Sequence, residues 1–360
     1  MTVKEAMTGD RPADAPAHWS MPSANVAAYP VAAALLILSI LLGVIVGPAG
    51  IAPQDVVRVL LHHLLGADVG APALADTIVW QIRLPRVIMA ALVGCTLAYS
   101  GAAYQGVFRN PLADPFLLGV AAGAGLAATI VIVGPVPASW GPVSLITIAS
   151  FGGALAAVFL TYGIARSGGR APMTTLILAG VAVSSLATSA TSYLLLAHQR
   201  DTIAILSWLL GGFNNSGWHQ LWFIVPYTLP AAAVIFLHGR VLNVMQLDEH
   251  QAEQLGVNVE RTRLVVLVAA SLAAAAAVSV AGIVGFVGLI VPHLVRMAVG
   301  PDYRRLLPLS ALLGASFMIL ADLGARTAIS PGELPVGVVT ACMGAPFFLY
   351  LLRRQRKAYF

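Results

Sequence analysis

Charge is scarce in this chain. Its 360 residues hold 20 Lys and Arg and 15 Asp and Glu, 10% in all, against about 25% in an ordinary soluble domain. A water-facing globular surface is therefore excluded. Lysine is nearly absent, with only Lys4 and Lys357. No phosphate-cradling Gly-x4-Gly-Lys-Ser/Thr loop occurs, so the chain cannot hydrolyse ATP by that route. Cys95 and Cys342 are the only cysteines. Two thiols so far apart make neither a disulfide framework nor a metal site, and both read as small apolar packing residues. A His-Glu-x-x-His zinc pattern is missing. So is a Gly-x-Ser-x-Gly nucleophile turn, because Gly314-Ala-Ser316-Phe317 lacks its second glycine. These absences remove the common hydrolase chemistries: no catalytic residue, resident metal or cofactor is expected in this chain.

What is present is apolar sequence, 59% of the residues at a mean hydropathy of +0.86. Runs of about 20 apolar residues cross a ~30 Å hydrocarbon core. Ten such runs can be traced, near 28–47, 87–108, 115–134, 143–165, 173–197, 219–238, 264–282, 284–299, 306–325 and 334–352. The eighth is short and carries Pro292 and His293. No hydrophilic stretch is long enough for a second domain. The fold class is an all-α polytopic membrane protein, with a tail at 1–27, a ten-span domain at 28–354 and a basic end at 355–360. The first run is too long for a signal-peptide core and is kept as a span.

Orientation follows the positive charge. With the N-terminus inside, fifteen of the 20 Lys and Arg fall on cytoplasmic segments, leaving Arg58, Arg83, Arg86, Arg200 and Arg326 on the other face. Both termini are then cytoplasmic. The sequence pI near 9.5 has its source in this bias, with no nucleic-acid partner implied. Outside, residues 48–86 are the largest extramembrane segment. Pro53 suits the first turn of a short helix there, running to about Leu65.

The longest charged excursion between spans is Gly239–Arg263, 25 residues holding seven of the 35 charges. Within it, Asp248 to Gly256 reads as a two-turn helix that Asp248 can cap and Gly256 can end in the left-handed conformation. So short a helix is unstable alone in water. It docks either on a soluble partner or on the ends of its own spans.

Few residues inside the spans can carry charge. Asp322 is the clearest acid, with Arg326 one turn on to neutralise it, and Glu333 stands at the mouth of the last span. His293 reads as a packing histidine. An ion-coupled carrier with inverted repeats would keep acids at mid-membrane, and they are not visible. Arg109-Asn110-Pro111-Leu-Ala-Asp114-Pro115 reads as a compact cytoplasmic turn in which Asp114 caps the third span and Pro115 opens it. Gly119-Val-Ala-Ala-Gly123 has the spacing of closely packed membrane helices. On the outer face, Arg83, Arg86 and Arg326 suit either attraction of an acidic partner or interfacial snorkelling.

Arg83-Leu-Pro-Arg86, Arg109 to Pro115, Leu178-Ala-Gly-Val181, Trp208-Leu-Leu-Gly-Gly-Phe213 and Leu255-Gly256-Val257 occur in this order. Gly285-Phe-Val-Gly-Leu-Ile-Val-Pro-His293, Leu320-Ala-Asp322 and Glu333-Leu-Pro-Val-Gly337 follow. Together they resemble the permease subunits of the iron-siderophore, haem and cobalamin ABC importers over residues 30–354. The resemblance implies ten spans and a homodimer in a bacterial inner membrane, bathed by lipid. It implies two ATP-binding cassette subunits below, which hold the ATP and Mg, and a periplasmic substrate-binding protein above. Leu247, Asp248, Glu249, Ala252, Leu255, Gly256 and Val257 are similar to the family's ATPase-coupling helix. Arg83, Arg86 and Arg326 resemble its arginines for binding-protein docking, and Met173 and Thr174 resemble a cytoplasmic gate. Residues 201–213 are similar to a short helix at the outer mouth. The implied cargo is an iron chelate, ferric siderophore or haem, with cobalamin the alternative. His62, His63, His198, His219, Tyr99 and Tyr104 are the imaginable iron ligands in passing.

Overall fold

The structure, a computed structural model, describes residues 22–67, 70–135, 139–140, 143–166, 172–329 and 332–356. The expected tail lies outside these up to residue 21, and residues 22–27 already belong to the first helix, α1 (Pro22–Ile45). α2 (Pro53–Leu65) follows, with Pro53 in its first turn as expected. Next comes one continuous helical run of 36 residues, Ala73–Phe108. It comprises α3 (Ala73–Asp76), a π-helical stretch Thr77–Arg83 and α4 (Leu84–Phe108). Pro85 lacks an N–H and its ring crowds the carbonyl one turn back, which is where the helix widens. The second span therefore starts well before the expected residue 87.

The third span differs too. Asp114 caps a separate 3-10 turn, Pro115–Leu118, by accepting from the Phe116 N–H. Gly119 then turns through φ 88, and only afterwards does α5 (Val120–Val133) begin. Of the expected glycine pair, Gly119 makes a bend, while Gly123 packs against the Gly153 backbone. Ser139–Trp140 and Val143–Ser144 form a two-stranded antiparallel ribbon. α6 (Leu145–Ala165), α7 (Met173–Ala197), a 3-10 turn Gln199–Asp201, α8 (Thr202–Leu209) and α9 (Trp218–Leu237) follow. The charged excursion holds α10 (Gly239–Val244) and α11 (Glu249–Gln254). α12 (Val259–Ala281), α13 (Val287–Val299), α14 (Tyr303–Thr327) and α15 (Val336–Arg356) complete the chain.

Seven helices among the described residues are long and apolar enough to cross a membrane, and the shorter apolar helices Val120–Val133, Val287–Val299 and Val336–Tyr350 fall on three further expected runs. Burial divides them. The most apolar windows of Ala73–Phe108, α12 and α14 are 78%, 72% and 67% buried, against 22–33% for α1, α6, α7 and α9. The first group is a protein core, and the second leaves apolar surface for lipid.

Between membrane helices lipid removes the hydrophobic incentive to associate, so close packing of small residues carries the contact. A Cβ on Gly94 would lie 2.2 Å from the Gly314 carbonyl oxygen, and one on Gly101 would lie 2.0 Å from that of Gly288. α4 therefore crosses α14 and α13 backbone to backbone. The Tyr99 hydroxyl donates to the Thr228 carbonyl at 2.9 Å, and Tyr104 shares a 2.6 Å hydrogen bond with Ser271. These bonds pin α4 to α9 and α12.

Candidate functional site

Two ends of the bundle carry the polar side chains. The near end holds residues 239–263, the 109–114 turn and the starts of α7 and α14. The far end holds α2, α3, α8 and the end of α14.

At the near end, the α10–α11 segment is tied down at three places. The Asn243 amide donates to Asp302 at 2.6 Å and its oxygen accepts from the Tyr303 N–H. Asp302 caps α14 through the Arg304 N–H. Burial pushes its carboxyl up, but the Asn243 amide, the Arg304 N–H and the Arg304 and Arg305 charges outweigh burial and hold it below the usual range. Gln246 donates to the Gly106 carbonyl at the end of α4. Arg263, one turn into α12, pairs with Glu249 at 2.6 Å and Glu260 at 3.0 Å.

Between these ties the segment projects. Leu247 and Leu255 are 43% and 63% exposed, and Ala252 is fully buried. Asp248, Glu249 and Gly256 are exposed, and Val257 is half-buried. Gly256 has φ 82, the left-handed end expected of it. Asp248 stands at the cap position without a side-chain cap hydrogen bond, contrary to expectation; Glu249 leads α11 and is held by Arg263 instead. Ala252 is the inward anchor of α11, and the other six expected coupling residues surround it.

Met173 and Thr174 open α7 beside this segment. With Pro172, Glu249, Glu253, Asn258, Val259, Glu260 and Arg263 they line a cavity of about 620 Å³. The structure thus brings the expected gate and the expected coupling helix to one cavity. The neighbouring turn has Arg109 at φ 49 and the Asn110 side chain accepting from Leu112 N–H. Burial pushes the Asp114 carboxyl up to about 6, against the Phe116 N–H that lowers it. Asp114 borders a second cavity of about 420 Å³ with Phe116, Ser184, Ser185, Gly285 and Phe286.

At the far end the three arginines expected to meet a binding protein turn inward. Arg83, Arg86 and Arg326 are only 3%, 7% and 3% exposed, where docking to an acidic partner requires presentation. Arg86 grips Asp322 at 2.8 Å and Glu333 at 2.9 Å, and Arg326 pairs with Asp322 at 3.0 Å. Arg326 also donates to the Gly43 carbonyl, and Arg83 to those of Val44, Ile45 and Ala49. The five ionic groups knit the end of α1, the start of α4, the end of α14 and Glu333 together. The physical reason is depth: the helix begins at Ala73, which puts Arg83 and Arg86 inside the bundle.

α8 lies where a mouth helix was expected. A cavity of about 320 Å³ there is lined by residues including Ser207, Trp208, Asn214, Asn215 and Glu333. The imagined iron ligands are not gathered: Tyr99 and Tyr104 are buried in helix contacts, His63 pairs with Asp76, and no group of three metal-ligating side chains occurs among the described residues. His293 packs near Phe347. The residue that sequence reading missed is Arg263, counted only as loop charge, although Glu260-x-x-Arg263 has helix-pair spacing.

A family described as the FecCD transport family matches residues 35–354. The chain is 44% identical to the cobalamin import system permease protein of Halobacterium salinarum over 288 residues, 79% of this chain and 75% of that protein. It is 38% identical to the hemin transport system permease protein of Yersinia pestis, covering 84% of this chain and 94% of that one. Against the Fe(3+) dicitrate transport system permease protein of Escherichia coli the identity is 38%, with 79% and 85% covered. A structure described as an inward-facing conformation of a metal-chelate type ABC transporter superposes with a TM-score of 0.77 at 29% identity, covering 92% of this chain and 99% of that one.

Proposed function

This chain belongs to the FecCD transport family and is a multi-pass membrane permease of the ABC importer class, and from that premise we propose how it works. Two copies pair in a bacterial inner membrane with both termini cytoplasmic. The near end is the cytoplasmic one, and its α10–α11 segment seats in a cleft on each of two ATPase subunits. A periplasmic binding protein delivers cargo to the far end. The chain itself holds no cofactor; ATP and Mg sit on the partner. Nucleotide-driven closure of the ATPases moves the coupling segments, and the two ends open in alternation.

The observation that carries this reading is the exposed Leu247 and Leu255 on a segment that α4, α12 and α14 hold rigidly. An exposed apolar pair on a fixed, water-facing protrusion is what a partner's pocket takes up. Met173 and Thr174 form the inner gate, within the same cavity. With Arg83, Arg86 and Arg326 engaged internally, the binding protein docks on other far-end groups, and the three arginines hold the shape it meets.

The cargo is an iron chelate, ferric siderophore or haem, supported by the hemin and Fe(3+) dicitrate relatives. Cobalamin is the second reading, favoured by the 44% identical relative. Vesicles holding this chain, its ATPase and its binding protein, offered each cargo in turn, decide between them: ATP-dependent uptake of cobalamin alone would overturn the first choice. Uptake by vesicles holding this chain alone, driven by an ion gradient, would overturn the importer mechanism.

A further inference from the structure

We infer that α12 is the transmission rod of this permease, gripped at its near end by Arg263 and bonded at its far end to the turn that follows α8. The inference rests on the coupling-helix reading above and adds the path that motion takes.

The near grip is specific. α11 packs against α12, and Arg263, 8% exposed, holds Glu249 of α11 and Glu260 of its own helix with separate nitrogens. Toward α7 there is instead the cavity of about 620 Å³. A push on α11 therefore reaches α12 before it reaches the gate helix.

The rod is long and smooth. Its 23 residues make about 34 Å of helix, a full crossing. Ala273, Ala274, Ala275, Ala276 and Ala277 are all fully buried in its middle. Along this stretch methyl-sized side chains leave no large knobs to lift out of neighbouring grooves, and the Tyr104–Ser271 hydrogen bond to α4 limits α12 to a small axial slide, the shear type of motion.

The far grip is backbone. The Ala281 carbonyl accepts from the Gly212 N–H at 2.8 Å. Gly282, at φ 67, lies so close to the mouth that a Cβ there would be 2.3 Å from the Trp208 carbonyl oxygen. Gly211 and Leu210 in turn accept from the N–H groups of Val336 and Gly337. Displacing the end of α12 moves the α8 turn and the start of α15 with it. One helix joins the ATPase-facing segment to the rim of the far cavity.

The test uses the assembled complex of permease, ATPase and binding protein in lipid discs. A fluorophore sits on Asn215→Cys at the far cavity, in a background with Cys95 and Cys342 replaced by Ala. Arg263→Met should assemble and hydrolyse ATP, yet lose about fivefold or more of the nucleotide-driven emission change. Arg263→Lys, which reaches one carboxylate at a time, should keep part of it. A full response from Arg263→Met overturns the inference. Should that variant fail to fold, Glu249→Ala removes the acceptor of the same grip at a half-exposed side chain, and a full mouth response per ATP hydrolysed from an assembled complex overturns the inference equally. Leu255→Asp separates the two ideas. If its complex stays intact with a full response, the coupling-helix reading fails. If it dissociates while Arg263→Met responds fully, the rod alone fails.

Discussion

The two ends of this molecule use charge in opposite ways. At the far end, three arginines and two acids are folded inward and satisfied by one another and by carbonyls of α1. At the near end, Leu247, Glu253 and Leu255 stand exposed on a short segment that the body holds from behind through Arg263 and its partner Glu249. Similar residue types thus serve as internal mortar at one end and as display at the other. What separates them is depth. Removing a partner from a buried pair leaves an uncompensated charge, whereas an exposed pair is worth little to stability. A buried charge cluster is a statement about the fold, and an exposed one invites a partner.

That contrast breaks most sharply at Asp322. Asp322→Asn takes the carboxylate from Arg326 and leaves Arg86 with Glu333 alone, so thermal unfolding in detergent should show a loss of about 3–5 kcal/mol. The loss should change little with salt, because the group is screened from solvent; a strong salt dependence would mean that the cluster is open to water. At the near end the pattern should invert. Leu255→Asp touches no core, so stability should stay within about 0.5 kcal/mol. Co-purification with the ATPase should fall by about 30-fold or more, as for an interface hot spot. Between these ends, Gly101→Ala puts a methyl where the Gly288 backbone lies, and should destabilise by about 1–3 kcal/mol in the same thermal assay.

The smallest effect is one of pH, at Asp114. Its carboxyl titrates near 6 in the folded chain but near 4 when unfolded. The native state therefore binds more protons across that window, and stability falls as pH rises from about 4 to 6. Asp114→Asn should flatten that slope. A variant with an unchanged stability profile between those pH values would place the carboxyl in water.

The ten apolar runs, the Pro53 helix, the Gly256 stop and the Asp322–Arg326 pair were legible because each depends on nearest-neighbour chemistry or on length against a fixed thickness. What lay hidden depended on depth or on distant partners. Arg83-Leu-Pro-Arg86 looks the same whether the helix starts at Ala73 or Leu84. Nothing local reveals that Glu333, 247 residues away, will answer Arg86. Asp248 has the right type for a cap, yet the neighbouring Glu249 is the one engaged, by an arginine 14 residues on. Asp114 was read correctly as a cap, but the positive φ of Gly119 turned its short helix away from the span.

Finally, the brevity of α5 and α13 bears on how such a protein can sit in a bilayer without leaking. Their 14 and 13 residues amount to about 21 Å and 20 Å, well short of a ~30 Å core. The chain makes up part of the difference with the non-helical residues 282–285, which start beside the Trp208 carbonyl and lead into α13, whose Gly288 meets Gly101. Irregular backbone at that depth survives only when enclosed by protein or beside water. Here Ile283 borders one open cavity, and Gly285 and Phe286 border another. The insulating layer is therefore thinned inside the protein itself. Phe286 and Leu289 are among the apolar side chains that line the second of these openings, where the helical layer is far thinner than the membrane it interrupts.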